Sequence, residues 1–235
     1  MDDKLYIVMP AYNEEENIES VVKAWYECLA CACDGSKLVI ADNGSTDRTH
    51  EILTELKNNY PALEILGDTN RYHGPKLIAL YKYAIAEGAT YIFQTDSDGQ
   101  TNPDEFLAFW DMRDNYDAII GSRPIRGDGL SRKMVEKVLC VILHFFYGIN
   151  ISDANAPFRL MSAKLLGKYI DRFDDLYNLP NAMLTTFFVY YKENILFKDV
   201  TFMPRQAGKS SINIKRIFAI GWKALSDFSR FKKNM

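Results

Sequence analysis

Short apolar runs that each break off at a cluster of polar and charged side chains set the strongest limit on what this chain can fold into. The run at residues 5–9 stops at Pro10, and Ala11, Tyr12, Asn13 and Glu14 follow. The run at 38–41 gives way to Asp42, Asn43, Gly44, Ser45, Thr46 and Asp47. The run at 91–95 gives way to Asp96, Ser97, Asp98, Gly99 and Gln100, and the run at 118–121 to Ser122 and Arg123. A further run spans 63–66. Between the runs, apolar residues recur at helical spacing, as Ile18, Val21, Val22 and Trp25 do. The pattern predicts helices over 14–31, capped by Asn13, and over 48–58, capped by Ser45 or Thr46. It predicts another over 75–87, with Pro75 in its first turn, and one opened by Pro103. Strand–helix alternation of this kind implies a mainly parallel α/β sheet covered on both faces. Ligands of such sheets bind beyond the carboxyl ends of the strands, so the polar clusters share one rim.

The second half differs. Residues 131–148 and 182–191 are predicted helices, 195–202 a strand and 214–231 a final helix. No repeat and no Pro/Gly-rich linker interrupts the chain, so 1–235 is expected to form a single domain.

Apolar residues make up 48% and charged residues 25%, the balance of an ordinary globular protein. A net charge of −3 gives no general pull toward nucleic acid, which is not expected as a partner. The basic residues gather late, as Arg205, Lys209, Lys215, Arg216, Lys223, Arg230, Lys232 and Lys233. That end suits a phosphate or an anionic membrane surface. Cys28, Cys31, Cys33 and Cys140 form no disulfide or zinc framework and fit a reducing compartment. The first three are expected to be small apolar side chains against the sheet. No signal peptide is expected, since Asp2 and Asp3 follow the start. No run reaches the ~18 apolar residues of a membrane span. The expectation is a cytoplasmic protein, peripheral on the inner face of the cell membrane.

The chemistry starts at Asp96, Asp98 and Gln100. In an extended segment these residues point to one side. Their oxygens suit Mg²⁺ or Mn²⁺ shared with a diphosphate, a metal that neutralises charge on a departing nucleoside diphosphate. The plain alternative is a turn in which Asp caps the following helix. Asp42 is a candidate to accept hydrogen bonds from a base or ribose, whereas turn chemistry alone explains Gly44 and Ser45. Tyr12 either stacks on a base or joins the core. Glu14 either meets a ribose or sits as a favourable charge at a helix start. Arg71, His73 and Lys76, around Gly74 and Pro75, are further nucleotide-contact candidates, His73 the weakest of them.

The three segments at 10–14, 42–47 and 96–100 stand in an order and at separations that resemble the family-2 glycosyltransferases of the GT-A fold. Within that family the likeness is to the polyprenyl-phosphate and dolichyl-phosphate sugar synthases. It covers nearly the whole chain and is strongest over 4–125. The resemblance implies an inverting hexosyltransferase that moves a sugar from a nucleoside-diphosphate sugar to a lipid-linked acceptor, polyprenyl phosphate foremost. It divides the domain into a nucleotide-sugar half, 1–125, and an acceptor- or membrane-facing half, 126–235. Asp96 would meet the nucleoside and the metal, and Asp98 and Gln100 would hold the metal. Pro10, Tyr12, Glu14 and Asp42 would line the nucleoside pocket, and Arg123 would meet phosphate. Residues 153–159 resemble an acceptor-side motif, with Ala156 and Pro157 where the family has Ser-Gly. Residues 205–211 resemble a phosphate-binding Arg-x-x-Gly-x-Ser stretch, in which Arg205 and Lys209 would close over the diphosphate. Asn43 replaces a second Asp and leaves the base unassigned.

A hydroxyl acceptor needs a general base, and a phosphate acceptor does not. Asp153 is the best base candidate, ahead of Asp174 and Asp175. The extra Arg and Lys favour a phosphate acceptor. The catalytic candidates are thus Asp98, Asp153 and Arg123. Two alternatives stand beside this reading: transfer to a sugar hydroxyl in polysaccharide synthesis, and a non-catalytic nucleotide-sugar-binding membrane scaffold. A nucleotidylyltransferase would carry a Gly-rich basic loop after the first strand, which 10–14 lacks. For membrane contact, 135–149 reads most simply as a buried core helix. The last helix places Ile214, Ile217, Phe218, Gly221, Trp222, Leu225 and Phe228 opposite its basic residues. It therefore fits either an anionic interface or packing on the body.

Overall fold

The computed structural model describes residues 3–124, 130–204 and 214–233, with the side chains of 130–132 and 214–223 outside the description. Seven strands form one sheet: β1 (Leu5–Ala11), β2 (Lys37–Asp42), β3 (Leu63–Leu66), β4 (Tyr91–Gln94), β5 (Ala118–Ser122), β6 (Arg159–Ser162) and β7 (Ile195–Asp199). Their order across the sheet is β3-β2-β1-β4-β6-β5-β7. The α-helices are α1 (Ile18–Glu27), α2 (Thr49–Lys57), α3 (His73–Ala86), α4 (Leu107–Trp110), α5 (Leu130–Tyr147), α6 (Ala163–Gly167), α7 (Pro180–Tyr190) and α8 (Ile214–Lys233).

The apolar runs become strands because both faces of the sheet are covered. Every residue of β1 is buried. Side chains alternate across a strand, so Tyr6 and Val8 join the core on one face while Leu5, Ile7 and Met9 join that on the other. The first core lies under α3, α7 and α8 and includes Tyr81, Met183, Phe187 and Phe228. The second lies under α1, α2 and α4. There Trp25 stacks on Phe93 with ring centroids 5.3 Å apart. Phe158 closes against Phe93 at 4.8 Å.

β1, β2, β3 and β4 run parallel, as do β5 and β7. β6, which the sequence pattern did not predict, runs antiparallel between β4 and β5. Other differences have local causes. Asn13 is not a helix cap: its φ of 56° places it in the left-handed region, and α1 begins at Ile18 after a turn. α2 is preceded by Arg48 rather than capped by Ser45 or Thr46. Pro103 opens a 3-10 turn, Pro103–Glu105, ahead of the short α4. The last strand ends at Asp199, and Phe202 forms only an isolated bridge to Thr101.

Cys31 is exposed and Cys28 and Cys33 are half-buried, so the cysteines are not all packed on the sheet. Burial pushes the Cys28 thiol up to about 12. α5 is not a buried core helix either: Met134, Val138, Val141 and Phe145 face solvent. At α8, the expected apolar residues Ile214, Ile217, Phe218 and Trp222 lie outside the described side chains. Ala224, Phe228 and Phe231 pack on the body, and Tyr147 donates to the Phe228 carbonyl at 2.8 Å. No helix among the described residues is long and apolar enough to cross a membrane.

Candidate active site

The carboxyl ends of β1 and β2 lie side by side, with Ala11 opposite Asp42. The left-handed turn at Asn13 folds the segment after β1 back onto the segment after β2. Asn13 N–H donates to Ser45 Oγ at 3.0 Å, and Asn13 Oδ1 accepts from Thr46 N–H at 2.8 Å. Glu14 N–H donates to Thr49 Oγ1 at 2.8 Å. Two clusters far apart in sequence therefore form one rigid wall.

Asp42 is buried in that wall. Ser45 Oγ donates to its Oδ1 at 2.5 Å, and His50 Nδ1 lies 3.1 Å from its Oδ2. Glu14 is also buried and accepts from Asn17 Nδ2 at 3.0 Å. Tyr12 is 41% exposed, so it is a rim residue and not part of the core. The Lys76 ammonium sits 5.6 Å from the Tyr12 ring centroid and donates to the Ala11 carbonyl. Lys76 is buried, and that burial lowers its pKa to about 8 against the opposing pull of Asp42. The crevice between β1 and β2 thus brings together an exposed aromatic ring, a buried carboxylate and a buried ammonium.

Lys76 gets there because α3 starts unusually close to its neighbours. A Cβ on Gly74 would lie 2.4 Å from the Tyr177 carbonyl oxygen and 2.5 Å from that of Asn178. His73, the first residue of α3, keeps an exposed surface within electrostatic reach of the site. Desolvation and then the charge of Lys76 lower its pKa, and Asp98 opposes them.

The segment after β4 is tied to the same wall by Ser97, whose Oγ donates to the Pro10 carbonyl at 2.8 Å. Gly99, with φ of 70°, turns the chain, so the stretch is not extended through Gln100. Asp98 Oδ1 accepts from Gln100 N–H at 3.2 Å. Gln100 is buried, and its Nε2 donates to the Met203 carbonyl at 2.8 Å. Met203 N–H returns a bond to the Gln100 carbonyl at 2.8 Å. Gln100 thus clamps the 200–204 segment to the rim. Among the described residues no group of three or more His, Cys, Asp or Glu gathers as a metal site. Asp96 and Asp98 bring two carboxylates to this rim, two positions apart in the chain. That set fits Mg²⁺ or Mn²⁺, which characteristically combine one or two carboxylates with substrate phosphates and water.

On the far side of the rim, Arg123 follows β5 and pairs with Asp153. Its Nε donates to Oδ2 at 2.7 Å and its Nη2 to Oδ1 at 2.9 Å. Its guanidinium lies 4.9 Å from the Phe202 ring centroid. Burial alone would lower the Arg123 pKa, but the bonds and charge of Asp153 outweigh it and hold the pKa above its ordinary value. Asp174 and Asp175 stand apart in surface ion pairs, with Arg230 at 3.3 Å and Lys82 at 2.7 Å. Arg205 and Lys209 lie outside the described residues. Three contributors carried no clear sequence signal. His50 reaches Asp42 from the first turn of α2. Ser97 ties the β4 segment to β1. Glu136 of α5 accepts from the N–H groups of Ala154 and Asn155 at 2.8 and 3.3 Å, beside Asp153.

Residues 6–170 match the family described as "Glycosyl transferase family 2". Polyprenol monophosphomannose synthase of Mycolicibacterium smegmatis is 26% identical over 178 residues, which cover 69% of this chain and 63% of that protein. UDP-N-acetylglucosamine--dolichyl-phosphate N-acetylglucosaminyltransferase of Methanococcus voltae is 28% identical over 187 residues, covering 71% of this chain and 72% of that one. Undecaprenyl-phosphate mannosyltransferase of Micrococcus luteus is 22% identical over 217 residues, covering 89% and 88%. The chain therefore spans 63% of the mycobacterial relative's length and most of the other two. Among solved structures, glucosyl-3-phosphoglycerate synthase from Mycobacterium tuberculosis, in complex with Mn²⁺, UDP and glucosyl-3-phosphoglycerate, superposes with a TM-score of 0.67. That match is 16% identical and covers 98% of this chain and 80% of the other. At that identity the likeness establishes the GT-A fold.

Proposed function

From the premise that this chain belongs to glycosyl transferase family 2, we propose that it moves a sugar from a nucleoside-diphosphate sugar to a lipid-linked phosphate at a membrane surface. The observation that carries the reading is the convergence of two chemistries on one rim. The Tyr12, Asp42 and Lys76 crevice suits a nucleoside, and the Asp96 and Asp98 pair suits a metal-bound diphosphate. The Ser97–Pro10 hydrogen bond locks the two together.

In this reading Tyr12 stacks on the base, while Asp42 and Lys76 offer an acceptor and a donor to its polar edge. Pro10 shapes the pocket floor, and Glu14 stands at its ribose end. Asp96 and Asp98 hold Mg²⁺ or Mn²⁺. A bound divalent ion supplies neutralisation of the charge on the departing diphosphate. Gln100 acts behind them by fixing the loop. An acceptor oxygen attacks the anomeric carbon from the side opposite the diphosphate. The sugar–oxygen bond to the diphosphate breaks, and its electron pair leaves with the nucleoside diphosphate. The sugar inverts. Arg205 and Lys209 remain candidates to close over the diphosphate.

The acceptor assignment rests on Arg123 and Asp153. Both Asp153 oxygens accept from Arg123, which suits a carboxylate that positions an arginine better than one that removes a hydroxyl proton. A phosphate oxygen is already charged and needs no base. The names of the three relatives, which refer to polyprenol, dolichyl phosphate and undecaprenyl phosphate, support the same acceptor class. A cytoplasm-facing, peripheral station on the membrane follows from such an acceptor.

The test has two stages. Melting is followed with UDP-, GDP- and dTDP-sugars, with and without Mn²⁺; the true donor raises the transition because it binds the folded state. Labelled donor is then offered with polyprenyl phosphate and, separately, with glycans. Label in the organic phase is the expected result. Transfer to glycan hydroxyls alone, abolished in Asp153→Asn with the fold intact, would overturn the phosphate acceptor.

A further inference from the structure

Helix α5 has 18 residues and a length of ~27 Å. One side of it is core: Leu143 and Tyr147 are buried. The other presents Met134, Val138, Val141 and Phe145, which are 68%, 52%, 67% and 84% exposed. Their spacing of four, three and four residues puts them on one stripe. Lys133 and Lys137 are exposed beside it. Glu136, the one carboxylate of the helix, is turned the other way, toward the Ala154 and Asn155 N–H groups. α8 lies alongside, and Leu225, Ser226 and Ser229 complete a groove with Val141, Ile142, Phe145 and Phe146. Lys232 and Lys233 are exposed at the end of α8.

We propose that this face of α5 seats on an anionic bilayer, with the apolar stripe in the acyl boundary and the lysines among the headgroups. A contiguous apolar stripe on a surface marks an interaction site. A stripe edged by cations and free of carboxylates is the pattern of an interfacial helix. A second copy of the chain fits less well: a two-fold interface through this stripe would gather Lys133 and Lys137 of both copies in one seam with no stripe-facing α5 carboxylate to answer them. The placement also has a functional logic that rests on the lipid-phosphate reading. The inner side of α5 holds the loop carrying Asp153, the partner of Arg123. One helix thus touches both the acceptor side of the cleft and the surface from which a lipid-linked phosphate would come.

Flotation with phosphatidylcholine vesicles, and with vesicles also containing phosphatidylglycerol, tests this on the full chain. Binding is expected to the mixed vesicles and to weaken as salt screens the lysines. Val141→Glu with Phe145→Glu should lower vesicle affinity roughly tenfold or more, because both side chains leave the acyl boundary. Lys133→Glu with Lys137→Glu should remove the preference for anionic lipid. Melting temperature and binding of UDP with Mn²⁺ should be unchanged in both variants. Wild-type protein that stays with the soluble fraction, or a Val141→Glu/Phe145→Glu variant that floats as well, overturns the proposal. So does a wild-type dimer seen by light scattering that the same variant dissolves. UDP binding is read separately, so its absence would fault the nucleotide site and leave the docking result standing.

Discussion

Arg123 and Asp153 form a doubly bonded pair whose side chains are only 5% and 4% exposed, and they join the end of β5 to the loop ahead of β6. A buried pair of this kind is costly to break from one side, because the remaining charge loses its compensation.

Asp153→Ala should therefore destabilise the fold by about 3–5 kcal/mol in urea unfolding, leaving a buried guanidinium alone. Replacing both residues, as Arg123→Met with Asp153→Leu, should recover most of that loss and still abolish transfer. Recovery of transfer in the double variant would place the pair outside the chemistry.

Asp98 and Gln100 should separate cleanly. Asp98→Ala is expected to lower transfer by about 100-fold or more, and to remove the Mn²⁺-dependent part of the melting shift caused by UDP. Gln100→Ala should instead cost ~1 kcal/mol of stability through the lost bond to Met203, with Mn²⁺ affinity close to wild type. Isothermal titration with Mn²⁺ and UDP distinguishes the two.

Lys76 predicts a pH dependence with a definite sign. Its folded pKa, about 8, lies below the ordinary lysine value of 10.5. Below pH 8 both states are protonated and the burial penalty is fully present. Between pH 8 and 10.5 the unfolded chain holds the extra proton, so this group's contribution to stability rises with pH. The full span is on the order of 3 kcal/mol. Comparing wild type with Lys76→Met isolates it from other titrations: the wild type should gain relative to the variant as pH increases through that window. UDP affinity should fall in the variant at pH 7.

Gly74→Ala should jam α3 against the Tyr177 and Asn178 carbonyls. Backbone must move to admit the methyl group, at a cost of roughly 1–3 kcal/mol in thermal or urea melts. UDP binding should weaken with it, since Lys76 is carried on the same turn.

The first half of the chain was legible because its signals are local. Each parallel strand is a short apolar run, and each rim cluster follows its run directly. That is enough to place Pro10, Asp42, Asp96 and Arg123 on one edge of the sheet. What could not be read depends on partners distant in the chain. β6 is four residues, Arg159–Ser162, and becomes a strand only because β4 and β5 leave a slot between them. Gln100 was expected to share a metal with two aspartates on the premise of extended backbone, and Gly99 breaks that premise. Asn13 was expected to cap a helix; its left-handed turn instead lets its side chain bind Thr46, 33 residues away. The outward face of α5 was invisible because an apolar helix looks the same in sequence whether it meets the core or the solvent.

The reversed direction of β6 has a last consequence. Gln94, at the end of β4, pairs with Arg159, at the beginning of β6. The stretch between β5 and β6 therefore departs from the cleft mouth and comes back to it, like a handle fixed at both ends to the same lip. A change confined to that handle would leave the strand ends that carry Pro10, Asp42 and Asp96 where they are, so in the proposed reading the acceptor side can be refitted by changing a single excursion of the chain.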